Sequence, residues 1–238
     1  MSKARIYIKP HEIADFIQIK EKAILHKLCS VLRLKKGDEI LVFDGKGKEY
    51  LYSIEELGKK CILAKKGAIA QKVSFSDKKV ILAFPLTREE RVDFILQKAT
   101  ELGVAGFIPF TCERSIKSGP SAKKKQRWNR IITEATRQSQ GLWLPFLEDV
   151  VSFNELIKRN YKLKLAGSFE GKDLESILSK GVREVFIIVG PEGDFSLSEY
   201  GKLKGNKFKF VKLSSNILRV ETACMFSVGL IRYFLDRS

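Results

Sequence analysis

The sequence predicts a small β-barrel followed by a parallel α/β domain, divided into residues 1–74 and 75–238. Three observations carry this. Residues before position 75 alternate short strand-like runs with turn signals around one short helix, the make-up of a small barrel. Beyond Ser76-Asp77-Lys78-Lys79, apolar strands alternate with longer helical segments, as in a sheet whose parallel strands are joined by crossover helices. Two strand–loop–helix junctions then fall close to the C-terminus, which places a site at the carboxyl ends of neighbouring strands.

In the first part, residues 5–8, 39–43, 50–54, 61–64 and 72–75 are the expected strands and residues 25–32 the expected helix. Asp44-Gly45-Lys46-Gly47 is a hairpin turn, because its glycines can take positive φ. In the second part, residues 80–84 form a continuous apolar run, as a strand covered on both faces requires. Thr87-Arg88-Glu89-Glu90 has the spacing of a capping box. Val92, Ile95, Ala99 and Leu102 share one face of the helix that follows, with Gly103 as its C-cap. Residues 107–110, 163–166, 185–189 and 208–211 are the later strands, and residues 121–140 are helical. From 224 to 235 the chain is apolar almost all round, apart from Ser227 and Arg232, which predicts a helix buried in the core or at a subunit interface.

The net charge of +16 over 238 residues raises the local anion concentration and predicts nucleic acid or an acidic membrane as partner. The plainer alternative is a charge kept for solubility. Cys29, Cys61, Cys112 and Cys224 are scattered without a CxxC pair, and His11 and His26 are the only histidines. That argues against a metal site and against a disulfide framework. No apolar run reaches membrane-spanning length and the N-terminus lacks the apolar stretch of a signal peptide, so a cytoplasmic protein is expected, with no membrane partner.

The segment LSSNILRVETA, from Leu213 to Ala223, leaves a strand and enters the last helix, where unpaired backbone N–H groups can hold a ligand. Ile217 and Leu218 are apolar residues in a loop and can flank a flat ring. Arg219 and Glu221 follow; their plainer alternative is a surface ion pair worth under about 1 kcal/mol. Upstream lies Gly190-Pro191-Glu192-Gly193-Asp194-Phe195-Ser196. Ser196 and Glu199 have capping-box spacing, with Phe195 and Tyr200 at the staple positions. A glycine-rich turn before a helix commonly meets phosphate, but Glu192 and Asp194 would repel one. GxxxxGK[ST] and GxGxxG are both absent. The loop suits a neutral or cationic ligand, or is an ordinary βα turn.

A basic run passes through Arg114, Lys117, Lys123, Lys124, Lys125, Arg127, Arg130 and Arg137, broken by Gly119-Pro120-Ser121 and interleaved with Trp128, Gln138 and Trp143. Lysine and arginine supply phosphate contacts and aromatic rings stack on unpaired bases. The alternative is a solvated helix face, with Trp128 packed into the core.

Taken together, these segments resemble the RsmE family of 16S ribosomal RNA (uracil-N3) methyltransferases in the SPOUT superfamily. GPEGDFS at 190–196 and ILRVETA at 217–223 are similar to its cofactor-loop motifs. HKLCSVLRLKKGD at 26–38, DGKG at 44–47, QKATELGV at 97–104 and ERS at 113–115 are similar to further family motifs. Arg127-Trp128, Glu134-Ala135, Gln138-Ser139 and Pro145 resemble its RW…EA…QS…P block. Four positions depart from the usual pattern: Asp194 and Ser214 stand where the family often has glycine, Asn216 where it often has arginine, and Gln140-Gly141 where it often has glycine and arginine.

The resemblance implies a PUA-like β-barrel for RNA at 1–74, then an α/β SPOUT methyltransferase domain at 75–238 with a C-terminal trefoil knot. It implies a homodimer that methylates N3 of a uridine in 16S ribosomal RNA, within the assembled small ribosomal subunit. S-adenosylmethionine, a cation, suits the acidic loop. The implied cofactor residues are Leu165, Ala166 and Gly167; Val189, Gly190, Pro191, Glu192 and Gly193; and Leu213, Ser214, Ser215, Ile217, Leu218, Thr222 and Ala223. The RNA would be met by Arg33, Arg114, Lys123, Lys124, Arg127 and Gln138. Arg219 is the candidate to stabilise the uracil anion, and Glu221 the candidate base or the group that orients Arg219. The competing expectations are a non-catalytic RNA-binding factor of the same fold and a methyltransferase for another RNA.

Overall fold

The computed structural model describes residues 3–58, 61–74, 76–178 and 181–237. Phe75, the last residue of one expected strand, lies outside the described residues. Two compact units divide the chain, Met1–Phe75 with Thr136–Leu144, and Ser76–Ala135 with Pro145–Ser238.

The first unit contains β1 (Ala4–Tyr7), β2 (Phe16–Ile19), α1 (Lys22–Leu25) running on into a π-helical segment (His26–Val31), β3 (Glu39–Phe43), β4 (Lys48–Leu57) and β5 (Ile62–Lys72). Among the described residues, its five strands lie in the order β1-β3-β4-β5-β2, antiparallel except where β1 runs beside β3. Ile6 of one edge strand and Ile17 and Ile19 of the other share one buried core with Leu28, Val42, Tyr52 and Ile54. The sheet therefore curls around that core. The strands expected at 61–64 and 72–75 are parts of a single strand, β5. The four-residue β2 was not expected, because only Ile17 and Ile19 alternate inward there, a short signal. At the β3–β4 turn Gly45 and Gly47 have φ of 68° and 94°. The Asp44 Oδ1 accepts from the backbone N–H groups of Lys46 at 2.7 Å and Lys48 at 3.0 Å, which closes the turn.

The second unit contains β6 (Lys79–Pro85), α2 (Glu89–Glu101), β7 (Gly106–Thr111), α3 (Ala122–Gln138, whose last turn belongs to the first unit), β8 (Phe146–Leu147), β9 (Val151–Ser152), α4 (Phe153–Leu156), β10 (Lys164–Asp173), α5 (Leu174–Ile177), β11 (Glu184–Ile188), α6 (Leu197–Gly205), β12 (Lys209–Lys212) and α7 (Val220–Arg237). Its strands form a parallel sheet in the order β12-β10-β11-β6-β7-β8, with β9 also beside β7. The central strands are closed to water on both faces: Val80 to Phe84 and Val185 to Ile188 are all buried. Because β10 lies between β11 and β12, the chain leaving β11 passes over β10 to reach β12. Opposite Val211, β10 breaks register between Gly167 and Lys172, so residues 168–171 leave the ladder.

Three local expectations need correction. Thr87 does not cap α2: the N-cap is Arg88, with no side-chain capping bond. On α2, Val92, Ile95 and Ala99 are buried, but Leu102, at the C-cap, is 41% exposed. On α7 only one face is covered; Cys224, Ser227, Val228, Ile231 and Leu235 are buried, whereas Phe226 and Tyr233 are exposed. At α6 the expected capping box is present in both directions between Ser196 and Glu199, and the Phe195 and Tyr200 rings pack edge to face at 5.8 Å.

Candidate functional site

Parallel strands deliver their following loops to one edge of the sheet, and here three segments meet there. Gly167, at the register break of β10, is the nearest to both of the others. A Cβ on it would lie 3.4 Å from Leu213 Cδ1, just after β12, and 3.9 Å from the Ile188 carbonyl oxygen at the end of β11. Leu165 and Ala166 are buried within β10, and Val189 is buried where it extends β11, its N–H donating to the Ala83 carbonyl at 3.1 Å. The structure thus brings the residues expected around 165–167, 189–193 and 213 into one place.

The loop after β11 is shaped by its own polar groups. Asp194 N–H donates to the Pro191 carbonyl at 2.9 Å, making a turn, and Asp194 takes φ of 58°. Its Oδ1 accepts from Phe195 N–H and its Oδ2 from the Tyr200 hydroxyl, each at 2.8 Å. Gly190 is tightly enclosed; a Cβ there would stand 3.1 Å from Asp194 Oδ1 and 3.2 Å from the Phe195 ring. Pro191 is buried, while Glu192 and Gly193 reach solvent.

Glu192 gathers partners that sequence spacing did not bring together. Thr87 Oγ1 donates to Glu192 Oε1 at 2.8 Å, and Arg91, one turn into α2, donates to the same oxygen. Burial raises the Glu192 pKa, but the Thr87 hydroxyl, the residue's own backbone N–H and the Arg91 guanidinium outweigh it and hold the carboxyl below its ordinary value. The Arg91 Nε also lies 3.8 Å from Glu221 Oε2, an oxygen that is buried without a hydrogen-bond partner. One guanidinium thus stands between the acidic loop and the start of α7. Arg91 was missed because it lies about a hundred positions from Glu192 in sequence, and its helical position gave no signal beyond that of a polar face. Glu221 is therefore paired with Arg91, not with Arg219 as expected.

In the last loop, Ser214 Oγ accepts from Asn216 N–H at 3.0 Å, Ile217 is 90% exposed, Leu218 is half-buried and Arg219 is exposed. Ser215 is exposed, Thr222 is half-buried and Ala223 buried. Cys224, next to them, is fully buried; burial, then the Glu221 charge, push its thiol pKa far up.

The residues expected to meet RNA are not all alike. Arg114 donates to the Gly193 carbonyl oxygen and so belongs to the 190–193 loop. Glu113 N–H donates to the buried Glu199 at 2.9 Å, which ties the same segment to the start of α6. Lys123 is exposed at the start of α3. Lys124 lies 3.4 Å from Glu89, and Arg127 pairs with both Glu89 and Asp93. Trp128 is 1% exposed, packed inward as one alternative held. In the first unit, Arg33 is exposed with φ of 53°, and Gln138 is exposed at the end of α3. Among the described residues no group of three His, Cys, Asp or Glu could hold a metal, and no helix is long and apolar enough to cross a membrane.

Comparison with known proteins places this arrangement. Residues 75–232 match the RNA methyltransferase domain family and residues 23–66 the RNA methyltransferase PUA domain family. The chain is 30% identical to the ribosomal RNA small subunit methyltransferase E of Rickettsia conorii, over 98% of this chain and 96% of that one. Its fold superposes on a Legionella pneumophila methyltransferase solved with bound SAM, at a TM-score of 0.88 and 28% identity over 98% of each chain. It superposes equally on the ribosomal RNA small subunit methyltransferase E of Neisseria gonorrhoeae bound to S-adenosyl methionine, at a TM-score of 0.88 and 26% identity over 98% of each chain. An α/β unit with a parallel sheet, joined to a PUA unit and matched along nearly its whole length, places this chain in the RNA methyltransferase family, among the ribosomal RNA small subunit methyltransferases E.

Proposed function

We propose that this chain transfers a methyl group from S-adenosylmethionine to N3 of a uridine in the 16S ribosomal RNA of the assembled small subunit. In this proposal it works as a cytoplasmic homodimer, with residues 1–74 as its RNA-binding barrel and the last strands of 75–238 threaded as a trefoil knot. The observation that carries the proposal is the meeting of Gly167, the 190–193 loop and Leu213 at the carboxyl ends of β10, β11 and β12.

The residues present fit that cofactor. Main chain rather than side chain faces the cleft at Gly167 and Gly190, so a flat ring can be approached closely. Glu192 and Glu221 give the edge a negative character that suits a sulfonium and repels a free phosphate. The segments 165–167, 189–193, 213–218 and 222–223 would hold it. Once bound, the cofactor supplies an electrophilic methyl group and leaves as a neutral thioether.

Everything else falls to side chains. Uracil N3 must lose its proton, and the charge that forms spreads over O2 and O4. Arg219, exposed just before α7, is placed to stabilise that charge. Glu221 Oε2 is an acceptor without a donor, to which the imide N–H can turn, and Arg91 fixes its position. Cys224 stays protonated in the core and takes no nucleophilic part.

The test supplies labelled S-adenosylmethionine and unmodified small subunits and identifies the methylated nucleoside by mass spectrometry. N3-methyluridine at a single site is the expected product. Binding of the cofactor without transfer would move the substrate to another RNA, and neither binding nor transfer would leave a non-catalytic RNA-binding factor.

A further inference from the structure

The second unit holds a cavity of about 340 Å³ that none of the cofactor segments lines. Leu86, Thr87 and Arg88 from the β6–α2 connection form one wall, Ile116 and Ser118 from the loop before α3 form another, and Trp128 of α3 closes it. Its size is at the small end of ligand pockets and suits a nucleobase with its ribose. The indole N–H of Trp128 is buried without a hydrogen-bond partner, a costly state for a donor. Thr87 belongs both to this cavity and to the acidic loop, because its hydroxyl donates to Glu192 at 2.8 Å. The cavity therefore lies one hydrogen bond away from the 190–193 loop.

We propose that this cavity receives the target base, turned out of the RNA, with Trp128 as the residue that reads it. This rests on the methyl-transfer reading above. Leu86, Ile116 and the indole give the slot apolar walls for a flat neutral ring. The indole N–H supplies one donor, and uracil presents carbonyl oxygens that accept. Arg88 is exposed at the same cavity and can meet the backbone phosphate. An enzyme acting on a ring nitrogen needs such a slot, because that atom is hidden while the base is stacked.

Trp128 and Trp143 are the only tryptophans, so the protein gives two indole N–H signals by nuclear magnetic resonance. Trp143 is an internal reference, its N–H donating to the Val73 carbonyl at 3.1 Å within the first unit; Trp143→Phe assigns the pair. Titration with uridine monophosphate is expected to move the Trp128 signal saturably and leave the Trp143 signal in place. Ser118→Tyr, which fills the cavity from an exposed loop position, is expected to abolish the movement. It should also raise the KM for small subunits about tenfold or more, the worth of one lost base contact, with S-adenosylhomocysteine affinity within twofold. A Trp128 signal unmoved by millimolar uridine monophosphate overturns the proposal, as does one moved by S-adenosylhomocysteine alone, which would make the cavity part of the cofactor site. A moved signal in a protein that methylates no small subunits would retain the base cavity and refute the methyl-transfer reading.

Discussion

Two residues occupy left-handed backbone where the resembled family often has glycine: Asp194, at φ of 58°, and Gln140, at φ of 59°. An L side chain there costs of order 1 kcal/mol. Asp194 offsets the cost through its bonds to Phe195 N–H and the Tyr200 hydroxyl, which accounts for a glycine position tolerating aspartate. Gln140 sits at the end of α3, where Gly141 N–H reaches back to the Thr136 carbonyl at 3.0 Å in a Schellman-type cap. Gln140→Gly is therefore expected to stabilise the protein by about 0.5–1 kcal/mol, read as a higher midpoint in urea. At the site, Arg219→Ala is expected to lower kcat by about a hundredfold or more, with cofactor affinity within severalfold; unchanged turnover would remove Arg219 from the chemistry. Glu192 has its pKa held below that of the unfolded chain, so its network with Thr87 and Arg91 stabilises the fold above the ordinary carboxylate pKa and is lost as pH falls through the lower folded value. The difference in melting temperature between wild type and Glu192→Gln is accordingly expected to be constant near neutral pH and to shrink in acid. A pH-independent difference would show that the charge plays no part.

At the scale of elements, the end of α3 is held by one buried residue. The last carbonyls of a helix have no partners within it. Arg5 supplies them, donating to the Thr136, Arg137 and Gly141 carbonyl oxygens at 3.2, 3.0 and 2.7 Å while its Nε pairs with the buried Glu49. Its guanidinium also lies 4.1 Å from the centre of the Phe43 ring. Positive charge at a helix C-terminus is favourable, and here it is desolvated as well. Arg5→Met is expected to destabilise the protein by about 3 kcal/mol or more in urea unfolding, because it strands the Glu49 carboxylate and three carbonyls. Glu49→Gln should cost less, since the bonds to the carbonyls remain. A conventional sequence reading of Thr87 as a helix cap went wrong at this same scale: the hydroxyl found a stronger acceptor in the Glu192 carboxylate than in the ends of its own helix.

For the whole molecule, the charge of +16 is the main long-range property. Part of the basic run is consumed internally, since Lys124 and Arg127 face Glu89 and Asp93, and Lys125 pairs with Asp149. Lys123 and Arg33 are exposed cations whose placement suits phosphate contact. Affinity for small subunits is expected to fall steeply with salt, and Lys123→Ala to reduce the log–log slope by about one if that lysine meets a phosphate; an unchanged slope would assign it to solvent.

The sequence by itself determined the order of the two kinds of structure, the buried parallel strands, the α6 capping box and the loops that carry the site. Those features are local: hydrophobic period, turn glycines and caps act over a few neighbouring residues, and a single chain displays them. Only the tertiary structure decided that residues 136–144 join the first unit, that Arg91 pairs with Glu192 and Glu221, that Arg114 meets Gly193 and that Trp128 closes a cavity. Each depends on groups remote in sequence being brought within hydrogen-bond or packing distance. A charge or a hydroxyl carries no local mark of which partner the fold will give it, so these contacts emerge only when the strands have set their order.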